Sequence, residues 1–133
     1  DGKADHDTVF SDGYNRLEDG LGSGVLAYRG NVYFTCIPDL WLLRDEDGDG
    51  KAEVKKSLQS GYGIRTSFIG HDLHGLVMGP DGKIYFSVGD RGMNVKTPSG
   101  AVVATECGSV VRCHLDGSEL ELYHTGLRNP QEL

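Results

Sequence analysis

Long apolar runs are missing from this chain. Stretches such as Leu40-Trp41-Leu42-Leu43 and Leu76-Val77-Met78 fall far below the roughly 20 residues of a membrane-spanning helix, so no membrane insertion is expected in this segment. Basic residues are also few, 13 against 20 acidic ones for a formal net charge of -7. That balance repels phosphate backbones and anionic lipid alike, so no nucleic-acid partner is expected. Cysteine is scarce as well. Cys36, Cys107 and Cys113 cannot all pair with one another, which excludes a dense disulfide framework and leaves room for one Cys107–Cys113 bridge. Cys113 precedes His114, but covalent haem attachment wants Cys-x-x-Cys-His, and the cysteine spacing here is wider.

Proline is rare, 4 residues against 20 glycines, and the glycines recur at turn positions instead of forming one flexible tract. That is the punctuation of short strands, not of a linker. Strands are predicted over 24–28, 31–37, 39–44 and 52–58, and the same order returns over 75–78, 83–88, 109–115 and 119–124, with no amphipathic helical stretch to compete. Tyr28-Arg29-Gly30-Asn31-Val32-Tyr33-Phe34 answers Gly79-Pro80-Asp81-Gly82-Lys83-Ile84-Tyr85-Phe86, each a hairpin ending in an aromatic pair.

A second marker gives the period. Asp1-Gly2-Lys3-Ala4-Asp5 is echoed 48 residues later by Asp49-Gly50-Lys51-Ala52-Glu53, and propeller repeats run about 40–50 residues. The fold expected is all-β: a β-propeller fragment of about two four-stranded blades from a larger ring, since propellers need about 4–8 blades and two cannot close. In this division 1–23 ends a preceding blade and forms an entry loop, 24–70 is the first blade and its connection, 71–125 is the second blade, and 126–133 enters the next. The second blade carries an insertion over 91–108, of the kind that commonly bears function. Assembly of three copies into a ring is the rarer alternative, since small repeat arrays need capped ends.

The most specific local pattern is Asp45-Glu46-Asp47-Gly48-Asp49-Gly50-Lys51-Ala52-Glu53. Acids at alternate positions converge on one ion only if the chain curls tightly. Gly50 permits the curl, so Asp45, Asp47, Asp49, Glu53 and the Lys51 carbonyl are candidate calcium ligands. Lys56 stands where an EF-hand has its bidentate Glu, so the loop is closer to the β-hairpin calcium loops of integrin-type propellers. The alternative is a metal-free acidic turn held by side-chain-to-backbone hydrogen bonds.

Two blade-entry segments carry the remaining polar groups. In Gly70-His71-Asp72-Leu73-His74-Gly75, expected as a loop before the second blade, His71 suits a general base, Asp72 an orienting acid and His74 a second proton carrier. Ordinary loop histidines bonded to backbone would read the same. In Gly126-Leu127-Arg128-Asn129-Pro130-Gln131, Arg128 offers a planar fork for carboxylate or quinone oxygens and Asn129 a donor and an acceptor, while Asn-Pro is also an ordinary turn signal.

His71, the run Gly79-Pro80-Asp81-Gly82-Lys83-Ile84-Tyr85-Phe86-Ser87-Val88-Gly89-Asp90, Leu115-Asp116-Gly117 and Arg128-Asn129-Pro130-Gln131 together resemble the soluble quinoprotein glucose/sorbosone dehydrogenase family. The chain is similar over its whole length to a related group of membrane-bound dehydrogenases from environmental bacteria, in which His-x-x-His-Gly and Asp-Gly-Asp-Gly-Lys-Ala-Asp motifs recur. The resemblance implies a six-bladed propeller binding pyrroloquinoline quinone and calcium. It makes His71 the base toward a sugar or alcohol hydroxyl, and Arg128 and Asn129 contacts to the quinone oxygens. It further implies an electron acceptor such as a cytochrome c domain, and a periplasmic or extracellular location, where hairpin calcium loops meet millimolar calcium. The chain departs from the glucose enzyme's pattern in having Gly70 where an acid precedes the base, and Asp72 and His74 after it. The competing expectations are a noncatalytic calcium-stabilised propeller that binds glycans or proteins, and a lactonase-like hydrolase with a metal-activated water.

Overall fold

The computed structural model describes residues 2–64 and 70–133; Asp1 of the repeated acidic motif and the part of the inter-blade connection at 65–69 lie outside the described residues. The expected all-β class is what the chain adopts. Ten antiparallel strands form two four-stranded sheets and one two-stranded ribbon, with no helix among the described residues, hence none long and apolar enough to cross a membrane.

The first sheet is a meander of β1 (Gly22–Tyr28), β2 (Asn31–Cys36), β3 (Asp39–Arg44) and β4 (Val54–Ser60). Its first turn is set by Arg29 and Gly30, both at positive φ (51° and 76°), the left-handed pair that matches strand twist in a two-residue hairpin. The second sheet is built from β5 (Leu73–Met78), β6 (Ile84–Val88), β9 (Gly108–Cys113) and β10 (Glu121–Leu127) in the order β5-β6-β9-β10. Between β6 and β9 the chain makes the ribbon of β7 (Met93–Lys96) and β8 (Val102–Thr105).

The leading strands β1 and β5 lie against each other, so the sheets pack face to face as adjacent propeller blades with β4 and β10 at their far edges. The core is shared between them. Tyr33, Leu40 and Tyr62 from the first blade meet Ile84, Phe86, Val88, Val111 and Cys113 from the second, all essentially inaccessible to solvent. The blade junction also repeats. Thr35 in β2 donates its hydroxyl to the Leu73 carbonyl at 3.2 Å, and Ser87, the matching residue of β6, donates to the Pro130 carbonyl at 2.6 Å. Residues 130–133 thus relate to β5 as β5 relates to β1, with the Gln131 carbonyl and Leu133 packed at Gly75.

The structure differs from expectation at several points. The insertion 91–108 lies where expected but contains a strand ribbon that was not predicted: β7 contacts β4, β8 contacts β10, and Met93 and Val95 are fully buried in the shared core. The ribbon fills the space between the far edges of the two blades. The strand expected from position 52 begins at Val54, because the Ala52 amide is taken by the Phe10 carbonyl. No Cys107–Cys113 disulfide forms; all three cysteines are free. The two flank and end β9, and six residues of extended chain separate them by roughly 20 Å, whereas a disulfide needs Cα atoms within about 7 Å.

Candidate functional site

The strand directions gather three functional side chains at one end of the second blade. His71 lies just before β5, Asp90 just after β6, and Arg128 immediately after β10. His71 Nδ1 and Asp90 Oδ1 are 2.5 Å apart, and the Arg128 Nε lies 3.9 Å from the other Asp90 oxygen. The His71 hydrogen bond, aided by the charge of Arg128, holds the Asp90 carboxyl below its ordinary value. An ionised carboxylate can only accept, so Nδ1 carries a proton, and in the neutral imidazole the lone pair then lies on Nε2. That is the tautomer a general base needs. The His71 side chain is about one-fifth exposed.

Arg128 is the most open member, 83% exposed. Its distance from Asp90 makes that pair a weak one, so the guanidinium is available to an anionic or quinonoid group above the sheet end. Asn129 is arranged differently. Its Nδ2 donates to the Gly70 carbonyl at 2.8 Å, while its Oδ1 is buried, has no hydrogen-bond partner among the described residues and faces Gly89. A Cβ at Gly89 would come within 2.6 Å of the His71 carbonyl and 2.9 Å of Asn129 Oδ1, which is why a glycine precedes Asp90.

The other two residues of the histidine motif are engaged elsewhere. His74 stands within β5, not in the loop where it was expected, and is bonded through Nε2 to the Gly70 carbonyl at 3.0 Å with 9% exposure. Asp72 is buried and pairs with Arg91 at 2.5 Å while accepting the Leu21 amide at 3.3 Å. Gly70 therefore receives two side-chain hydrogen bonds, from His74 and Asn129, that fix the start of the His71 loop. Asp90 and Arg91 had no role in the sequence reading. The signal available was the step from an alternating apolar strand to Val88-Gly89-Asp90-Arg91, a charged pair straight after a strand end.

The acidic loop lies at the opposite end of the first blade, between β3 and β4. Carboxylate oxygens of Asp45, Asp47, Asp49 and Glu53 all come within 4.8 Å of one another. Asp45 accepts the Gly48 and Gly50 amides at 2.6 and 2.9 Å, which holds its carboxyl below the ordinary value. The Lys51 amide donates to Asp49 at 2.8 Å and the Glu46 amide to Glu53 at 2.7 Å. Gly48 and Gly50 both lie at φ near 85° (84° and 86°), the left-handed conformation that curls the acids inward. The donor set is all oxygen, as a hard cation requires, and the loop lies at the strand ends away from His71.

The family model described as a domain of unknown function, DUF7133, matches residues 1–131. No curated protein and no solved structure matches the chain.

Proposed function

The chain belongs to the DUF7133 family, a domain of unknown function, and from the geometry of its site we propose that it serves a quinone-dependent dehydrogenase that oxidises a sugar or alcohol hydroxyl. The observation that carries this reading is the His71–Asp90 contact, which selects the tautomer with the lone pair on Nε2 for a neutral imidazole, in the same cluster as the exposed Arg128. The donor set suits pyrroloquinoline quinone: Arg128 presents a planar cationic fork with most of its surface free, fitting a flat, carboxylate-bearing group. When bound, that cofactor supplies a two-electron acceptor for the substrate's hydride. His71 Nε2 takes the hydroxyl proton, and Asp90 stabilises the imidazolium that results. Arg128 contacts the cofactor's anionic oxygens, and Asn129 supports the loop through Gly70. An electron acceptor such as a cytochrome c domain, and a periplasmic or extracellular setting, belong to the same reading.

Calcium in the Asp45–Glu53 loop is assigned a structural role, since the four converging carboxylates lie in the β3–β4 hairpin, at the strand ends away from His71.

The test is to titrate the purified protein with pyrroloquinoline quinone and calcium and follow dye reduction by aldoses and alcohols, with His71→Ala alongside. Saturable quinone binding with substrate-dependent reduction that disappears in His71→Ala is expected. No binding at micromolar quinone overturns the dehydrogenase and leaves a noncatalytic, calcium-braced propeller that binds glycans or proteins.

A further inference from the structure

His71 and Asp90 are each followed by a residue of opposite charge to the other's successor. Asp72 and Arg91 make a second cross-link one step along from the first, Arg91 Nη1 to Asp72 Oδ1 at 2.5 Å, and the backbone adds a third where the Gly89 amide donates to the Asp72 carbonyl at 3.1 Å. The two side-chain links differ in the setting of their carboxylates: Asp90 is 39% exposed and Asp72 4%, while His71 and Arg91 are alike at 22% and 18%.

The buried pair is seated by the first blade. The Leu21 amide donates to the second Asp72 oxygen at 3.3 Å. A Cβ on Gly20 would meet Arg91 Nη1 and Asp72 Cγ at 3.4 Å, and one on Gly63 would meet Arg91 Cζ at 3.3 Å. The guanidinium thus occupies a slot between two glycines of the first blade, while its backbone belongs to the segment leading from Asp90 into β7. Buried ion pairs contribute little net stability against apolar replacements but fix geometry strongly. A pair whose carboxylate is open to solvent, as Asp90 is, holds its orientation less firmly, because water competes for the carboxylate.

We propose that Asp72 and Arg91 are positioning residues for the His71–Asp90 pair: anchored in the first blade, they clamp the two strand ends of the second blade so that Asp90 stays on His71 Nδ1 and Nε2 stays free. This rests on the dehydrogenase reading only in treating Nε2 as the working atom. The clamp itself is a claim about the tautomer of one imidazole.

Histidine-selective ¹⁵N spectra read that tautomer directly, without cofactor or substrate. The native protein is expected to show His71 protonated at Nδ1 alone above its titration. In the neutral, similarly sized pair Asp72→Asn/Arg91→Gln, half or more of His71 is expected to pass to the Nε2-protonated form while the other histidine signals keep their positions. Arg91→Lys keeps the charge opposite Asp72 but not the planar group in its slot, and an intermediate mixture is expected there. It decides the matter if the neutral pair does not fold. A pure Nδ1-protonated signal in whichever variant folds overturns the proposal. Because quinone enters neither arm, this outcome is independent of whether the protein binds one.

Discussion

At the scale of single residues, the consequences of environment are clearest for the carboxylates and thiols. Asp90 loses its ordinary value of 3.8 to a lower one through the His71 hydrogen bond. Its pairing therefore contributes above the unfolded value and is lost as pH falls through the depressed folded value, so the His71–Asp90 contact survives across the whole neutral range. Asp90→Asn should fold normally, since the side chain is 39% exposed, yet reduce turnover in the dye assay by about 10²–10⁴-fold, the usual contribution of a general base; wild-type turnover in that variant would remove Asp90 from the site. The cysteines separate by the same kind of argument. Burial pushes the Cys36 thiol up to about 11 and the Cys113 thiol up to about 12, while hydrogen bonds to Thr105 and Thr125 pull the half-buried Cys107 down. The thiolate is the reactive form. Native protein at pH 8 should therefore release one equivalent of aromatic thiol quickly from a disulfide reagent, the fast equivalent should vanish in Cys107→Ser, and the other two should react only on unfolding.

At the scale of elements, the acidic loop shows how a hairpin turn becomes a cation cage. Its carboxylates are drawn together by backbone amides, but four negative charges within 4.8 Å repel one another unless an ion is present. Calcium should raise the unfolding midpoint and a chelator lower it, with about 2.7 kcal/mol gained at a hundredfold excess over Kd. Asp45→Asn, which loses a ligand charge, should remove most of that response. Equal midpoints in calcium and chelator would leave an acidic turn without a metal. This loop was legible in the sequence because all its ligands lie in nine consecutive residues, as were the eight strands of the blades, whose glycine turns are local signals. The β7–β8 ribbon was not recognised, although Met93-Asn94-Val95-Lys96 alternates buried and exposed, because glycines and polar residues frame those four positions. His71, Arg128 and Asn129 could be picked out by type. Their arrangement could not, because the pairing of His71 with Asp90 and of Asp72 with Arg91 depends on β5 and β6 running antiparallel, and the slot for Arg91 depends on Gly20 and Gly63 in the other blade. The expected partnership of Asp72 with His71 failed to appear for the same reason: sequence adjacency suggested it, and an ion pair with Arg91, across the ends of β5 and β6 in the same blade, replaced it.

At the scale of the molecule, the decisive fact is that neither blade has a core of its own. Phe86 is inaccessible to solvent and packs edge-on against Tyr62, with centroids 5.7 Å apart and planes at 71°, so a ring from β6 completes the interior of the first blade. The only tryptophan, Trp41, is in β3, stacked edge-on with Tyr14 at 5.7 Å and flanked by Lys55, so its emission reports on the first blade alone. Phe86→Ala removes a buried aromatic side chain and should cost about 3–5 kcal/mol. If the blades fold as one cooperative unit, that loss must appear in full at Trp41, although the substitution lies in the other sheet. Denaturant titrations followed by Trp41 emission and by far-ultraviolet circular dichroism should then coincide in both proteins and shift together in the variant. A Trp41 midpoint that stays in place while the dichroism transition moves would mean that the first blade stands independently. In that case the site between Asp72, Arg91 and Leu21 would be a contact between two separately stable sheets, and the His71 loop would be free to reorient whenever they part. A common shift means instead that the base and its clamp are organised by the same core that holds the two blades together.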